Sequence, residues 1–420
     1  MKRRPWLIGA ALVGLLAIGV FGYRAWFTAS TPSGSVETFL TQHWAQPLAP
    51  QGDPPAQYTP IEASLASENC GRCHQKQFDD WRTSLHARTT GPGILWQLRI
   101  MKQSEANECL RCHAPLAEQK ALTALELGWP GAPANPPPAY ISANLHHEGL
   151  TCAACHVRGH RRFGPPPRAV LPSGAPVPHG GFEAQLAFED SRFCAACHQF
   201  PPQARRVNGK LLENTYEEWR MSPAARAGRT CQSCHMPDRG HLWRGIHDPN
   251  TVREALRREL EVQRLDVRTL RVQAVVRNTG VGHNFPTYAV PKIYVRLVLH
   301  RPGSAPREFA QRVIGRTLNV ALDREFSDTR LSPGEALVFS ADVPAPDGDA
   351  KVELRIDVAP GEHYERMFRE WQTRPETRNL VTAATLREAL TATAASRYRL
   401  DSLIVSAPRS MGKVQRQDAN

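Results

Sequence analysis

At 420 residues, with 41% hydrophobic and 22% charged residues, the chain has the composition of a folded, modular protein, and wholesale disorder is excluded. Its formal charge of +12 would suit nucleic acid or an anionic surface. No block of basic residues interleaved with aromatics forms a recognisable nucleic-acid module, so that partner is set aside.

The chain opens with Lys2, Arg3 and Arg4 before an almost unbroken apolar run from Trp6 to Tyr23, the layout of an export signal. Small-x-small cleavage sites are poor, since Ala29 has Phe27 two places before it, and about 18 apolar residues suffice to span a bilayer. The expectation is a retained transmembrane helix over residues 1–30, with the three positive charges inside. This puts the chain on the periplasmic side of a bacterial cytoplasmic membrane, held by a single-pass N-terminal anchor. Residues 31–60, rich in Pro, Gln, Ala and Gly, read as a tether.

All ten cysteines lie between residues 61 and 250, in five pairs each followed at once by histidine. They are Cys70, Cys73 and His74; Cys109, Cys112 and His113; Cys152, Cys155 and His156; Cys194, Cys197 and His198; and Cys231, Cys234 and His235. Chance would give roughly 0.01 copies of Cys-x-x-Cys-His. Two thiols at this spacing reach the two vinyl groups on one edge of a porphyrin, and the adjoining histidine falls beneath the iron. Five covalently attached haem c groups are therefore expected, with these cysteines as attachment points and these histidines as proximal ligands. Four-thiolate zinc sites would leave one pair orphaned and give the histidines no role.

With about 38 residues per haem, the segment is too short to bury a conventional core around each one, so the porphyrins form much of the core. Their propionates and ferric irons would bring the charge to about +7 oxidised and about +2 reduced. Proline-rich stretches at 128–140 and 163–178 exclude helix interiors and read as loops around the haems. Phe78, Trp81 and Leu85 mark one face of a short helix after the first motif.

Residues 251–265 read as a charged connecting helix. The hydrophobic period then changes to two: Leu270, Val272, Ala274 and Val276, then Ile293, Val295, Leu297 and Leu299, then Val352, Leu354, Ile356 and Val358. The pattern predicts an antiparallel β-sandwich over 266–358. A helix near Thr385 to Ala395, a strand near Tyr398 to Ser406 and a mobile tail from Arg409 complete 359–420. The expected fold class is thus a multihaem cytochrome c domain, mainly helical and loop-rich, over 61–250, with a C-terminal antiparallel β-sandwich and an N-terminal transmembrane helix.

The sixth ligand decides function, because a haem with histidine on both sides has no vacancy and only passes electrons. His86 follows proximal His74 by twelve residues, roughly 18 Å along a helix, too far to share one iron, so it is expected to ligate a neighbouring haem. His147 and His160 flank the third motif, and either is a distal candidate. His241 and His247 follow the fifth, with His247 preferred. His283, at a turn between strands, could coordinate a haem and make the β domain a lid on the array. His43, His146, His179, His300 and His363 read as surface residues.

The segments CGRCHQKQFDDWRTSLHA, EGLTCAACH, TYEEWRMSPAARAGRTCQSCHMP and GHNFPT resemble the multihaem cytochromes of the cytochrome c554 and c-prime family, over roughly residues 65–290. In that family the histidine of Trp-x-x-Ser-x-His is a distal haem ligand, which the resemblance implies for His86, after Trp81 and Ser84. A second copy at Trp219 and Ser222 has Ala224 in the histidine's place, so no ligand carries over there. The resemblance implies electron carriers as well as relatives of enzymes acting on hydroxylamine or nitrite. No motif ends in lysine, as the active haem of a nitrite reductase would, which favours electron relay between redox partner proteins or a quinol-linked membrane complex. The other reading is an oxidoreductase acting on a small nitrogen or sulfur compound at a five-coordinate haem.

Overall fold

The structure is a computed structural model that describes residues 33–168, 177–346 and 348–419. Helix Ser33–His43 belongs to a compact unit that ends at Ala45, and residues from Gln46 onward form a second unit. The expected fold class is corrected at its first element. Among the described residues no helix is long and apolar enough to cross a membrane. The apolar run assigned to a span, within residues 1–30, lies outside the described residues. What stands is a helical, loop-rich motif segment followed by a β-rich C-terminal part.

The stretch from Gln46 to Pro60, expected as a tether, lies instead against the motif segment. Leu48 is buried in a cluster with Leu65, Leu116 and Leu145, and the Gln51 amide donates to Glu118 Oε1 at 2.6 Å. Prolines keep this strand-like strap extended, and its few apolar side chains suffice to seat it.

Each motif sits in a short helix whose start is written in the sequence. Thr151 and Thr230 precede the first cysteines of the third and fifth motifs and cap helices Cys152–His156 and Cys231–His235, accepting from the amides of Ala154 and Ser233. The two Trp-x-x-Ser copies also act alike. The Trp81 indole donates to the Leu150 carbonyl at 2.8 Å and Trp219 to the Arg229 carbonyl at 2.9 Å, two residues before Cys152 and Cys231 respectively. Ser67, three residues before Cys70, accepts from the Cys152 amide at 3.3 Å, and Ser191, three residues before Cys194, accepts from the Cys231 amide at 3.0 Å. Motifs one and three, and motifs four and five, are therefore built on one repeated plan.

The β-rich part begins earlier than the sequence suggests. Helix Pro249–Ala255 gives way at once to strand β1 (Leu256–Arg264), so the expected connecting helix is mostly strand. Strands β2 (Thr269–Asn278), β3 (Lys292–His300), β4 (Arg307–Ile314), β5 (Ala336–Pro344), β6 (Lys351–Ala359), β7 (Tyr398–Ser406) and β8 (Val414–Ala419) follow. They form two four-stranded antiparallel sheets, ordered β5-β2-β1-β8 and β7-β6-β3-β4. The alternating residues of β2, β3 and β6 share one core with Leu260, Val262 and Leu403. Each fully buried Val, Leu or Ile there contributes about 1.5–3 kcal/mol. The tail expected to be mobile supplies edge strand β8.

Two helices of the C-terminal part return to the motif segment. Glu362–Gln372 and Leu380–Ala395 bury Phe368, Leu386 and Ala389 against Trp96 of helix Pro92–Ile100. The loop between β2 and β3 is pinned by the buried Asn278, whose amide donates to the carbonyls of His283 and Leu331 at 3.2 and 3.1 Å. That places His283 at the motif segment.

Candidate haem sites

None of the ten cysteines is in a disulfide. Proximity between motifs sets their order in space: Cys70 lies beside Cys152, Cys112 beside Cys197, and Cys194 beside Cys231. Cys155 of the third motif lies beside Cys194 and Cys197 of the fourth.

The proximal histidines meet other histidines across a recurring gap. Ring centroids are 6.4 Å apart for His235 and His283, 6.3 Å for His198 and His86, and 6.2 Å for His156 and His241. Stacked rings in direct contact would be much closer. Two imidazoles sharing one metal, with metal–nitrogen bonds of about 2 Å, stand roughly 6.3 Å apart ring to ring.

The other ring nitrogens are anchored as metal-ligating histidines require. Nδ1 of His113, His156, His235 and His283 lies 2.7 to 2.8 Å from the carbonyls of Thr89, Phe163, Arg244 and Asn284 respectively. His241 Nδ1 lies 3.0 Å from the Arg239 carbonyl. His86 Nδ1 is buried without a hydrogen-bond partner. Burial holds His86 down to about 3 and His156 and His283 down to about 4, so these rings are neutral and carry a lone pair for a metal. Paired thiols, neutral anchored imidazoles and iron-spanning gaps fit covalently held haem.

The family model for Cytochrome c554 and c-prime matches residues 69–129. A penta-heme cytochrome c552 from Thermochromatium tepidum shares the fold, with a TM-score of 0.55 at 20% identity, covering 83% of this chain and 100% of that one. No curated protein matches. The chain is a multihaem c-type cytochrome. Its cofactor is haem c, held by Cys-x-x-Cys-His motifs.

Within the cytochrome, the sequence-derived candidates divide. His86 and His283 face proximal histidines, His86 that of the fourth motif and His283 that of the fifth. His241, not the preferred His247, faces the third; His247 lies towards Arg88 instead. Trp243 wedges edge-on between His86 and His241, 4.5 and 5.0 Å from their rings, and fixes both. His160 is buried but commits Nε2 to the Gly52 carbonyl at 3.0 Å and packs on Tyr140. His147 turns to Glu126 at 3.0 Å, beside His146.

His179, read as surface, lies near His74, whose pKa is lowered by burial and then by His179. Its Nδ1 is anchored on Gly181 at 2.8 Å, and its backbone is held by Tyr58 and Glu62, each at 2.7 Å. A proline-rich loop gave no periodicity to single it out; the only signal was that the first motif needs a partner. Among the described residues, no histidine stands opposite His113. Glu213 lies near Cys112 instead, and Tyr364 near Cys109, with Tyr288 alongside.

Proposed function

We propose that this cytochrome is a periplasmic pentahaem electron relay, carrying one haem c on each motif and passing electrons between redox partner proteins, among them a quinol-linked membrane complex. A bound haem c would supply one-electron exchange at its iron, which the facing histidines would hold. The observation that carries the reading is the set of imidazole pairs at 6.2 to 6.4 Å, a spacing that would let each pair hold one iron at motifs three, four and five. His179, which lies near His74, is the partner assigned to the first motif. Contacts running from motif one to three, then to four, then to five give the relay a continuous path, with motif two joined at four.

Low-temperature electron paramagnetic resonance of the oxidised protein tests this. The expected spectrum has four low-spin bis-histidine irons, and a mass carrying five haem groups. His283→Ala and His241→Ala each convert one low-spin iron to high spin, whereas His247→Ala leaves the spectrum unchanged. Loss of a low-spin signal in the His247 variant would reverse the assignment at motif three.

A second reading attaches to motif two alone, where His113 lacks an opposite histidine and two tyrosines and Glu213 gather. Burial raises the pKa of both Tyr288 and Tyr364, so they remain protonated donors. This supports reduction or oxidation of a small nitrogen or sulfur compound there. A high-spin ferric signal that shifts on adding nitrite or hydroxylamine supports it; a fifth low-spin iron removes it.

A further inference from the structure

Glu126, His146 and His147 lie together, and no haem motif uses them. His146 Nε2 donates to Glu126 Oε2 at 2.8 Å and His147 Nε2 lies 3.0 Å from the same oxygen. The three ligand atoms all fall within 4.8 Å of one another. We propose that this cluster is a second metal site, separate from the haems, that binds a divalent transition ion of borderline softness such as zinc.

Donor chemistry supports this choice, because two imidazoles and one carboxylate suit zinc, whereas calcium and magnesium prefer oxygen alone. Around a tetrahedral ion with bonds of about 2.0–2.2 Å, ligand atoms stand roughly 3.3 Å apart. The observed separations of 2.8 and 3.0 Å need to open by only a few tenths of an ångström.

The histidines are also held in place. His146 and His147 lie in the turn Leu145–His147, and the buried Gln119 amide donates to Leu145 O at 3.0 Å and Gly149 O at 2.7 Å, on either side of them. Thr90 Oγ1 donates to the His147 carbonyl at 2.8 Å. Glu126 is in the last turn of helix Ala117–Leu127, where the negative end of the helix dipole favours a cation. Arg99 fixes the other carboxylate oxygen at 3.0 Å and leaves Oε2 to the histidines.

Hydrogen bonding alone serves the cluster less well. Both ring N–H groups must crowd one oxygen. The His147 side chain is partly exposed, so solvent can supply a fourth ligand. Three protein ligands and one open position match zinc sites that exchange a water or small ligand.

The test uses the full-length holoprotein, stripped of loose metal and titrated with zinc chloride by calorimetry, with zinc and iron counted by elemental analysis. One zinc per chain is expected, with at least tenfold weaker binding in both Glu126→Gln and His147→Ala. The Soret band and low-spin signals should remain as in the parent. Absence of stoichiometric zinc, or zinc uptake indifferent to both substitutions, overturns the site. Loss of a low-spin haem signal in His147→Ala also overturns it, by making that residue a haem ligand; that outcome is distinct from any failure of the relay assignment, which His283→Ala and His241→Ala probe.

Discussion

His363 is read from the sequence as an ordinary surface histidine, yet it is 2% exposed. Its Nε2 is buried without a partner, and its Nδ1 lies 3.4 Å from Arg366. Burial, then the cations Arg366 and Lys292, lower its pKa from 6.5 to about 4. The unfolded chain therefore binds a proton that the folded chain refuses. Its contribution to stability is complete above pH 6.5 and is lost as pH falls through about 4. That lowering corresponds to at most about 3 kcal/mol. In His363→Gln, the loss of unfolding free energy between pH 7 and pH 4.5 should shrink by roughly 2 kcal/mol relative to the parent, measured by urea denaturation. Parallel stability curves would show that His363 does not titrate between these limits.

The repeated plan joining motif one to three and motif four to five predicts unequal consequences for two identical substitutions. Trp81 is buried and Trp219 is only partly so, although each indole satisfies the carbonyl that precedes a capped motif helix. Trp81→Phe strands a buried carbonyl and should cost about 1–3 kcal/mol, while Trp219→Phe lets water replace the bond and should cost less than about 1 kcal/mol. Thermal denaturation of the two variants checks this, and equal losses would contradict it. The copies differ where His86 in one corresponds to Ala224 in the other. A Cβ on Gly282 would stand 2.9 Å from the Ala224 methyl, so the β2–β3 loop closes where a larger side chain would stand. The small residue at 224 and the arrival of His283 from the sheet are two sides of one packing solution.

This contrast also explains what was legible in the sequence. Proximal ligation is local, fixed by Cys-x-x-Cys-His within one short helix, and a glance along the chain finds it. Strands β2, β3 and β6 declare themselves because each has four successive inward positions that are apolar. Strand β1 does not, because Arg258 and Arg264 occupy inward positions, Arg258 with an ion pair to Asp401 at 3.2 Å, and the Leu256 to Leu260 spacing imitates a helix. Strand β8 is polar between its two ends, Val414 and Ala419, and exists through its register with β1, so composition suggests a loose tail. Opposing histidines are tertiary: His179 and His241 reach their motifs from distant loops, and no spacing rule separates His241 from His247.

Across the whole molecule, the order of the motifs along the chain differs from their order in space. Motif four is the junction, since Cys197 meets Cys112, Cys194 meets Cys231, and both lie near Cys155. Motif two, by contrast, touches only motif four through its thiols among the described residues. Removing covalent attachment at these two motifs should therefore have different effects on a single electron admitted at motif one. Lys76, whose side chain is 73% exposed just after that motif, offers a site for a ruthenium photosensitiser. In Cys109→Ala with Cys112→Ala, the electron should still reach the iron between His235 and His283, with one haem fewer by mass. In Cys194→Ala with Cys197→Ala, it should remain on the irons served by His74 and His156, and the low-spin signal of the His235 site should persist after the flash. Rapid-freeze paramagnetic resonance distinguishes the two cases. Undiminished reduction of the His235 site without motif four would mean that electrons bypass the junction, and the path drawn from the thiol contacts would have to be abandoned.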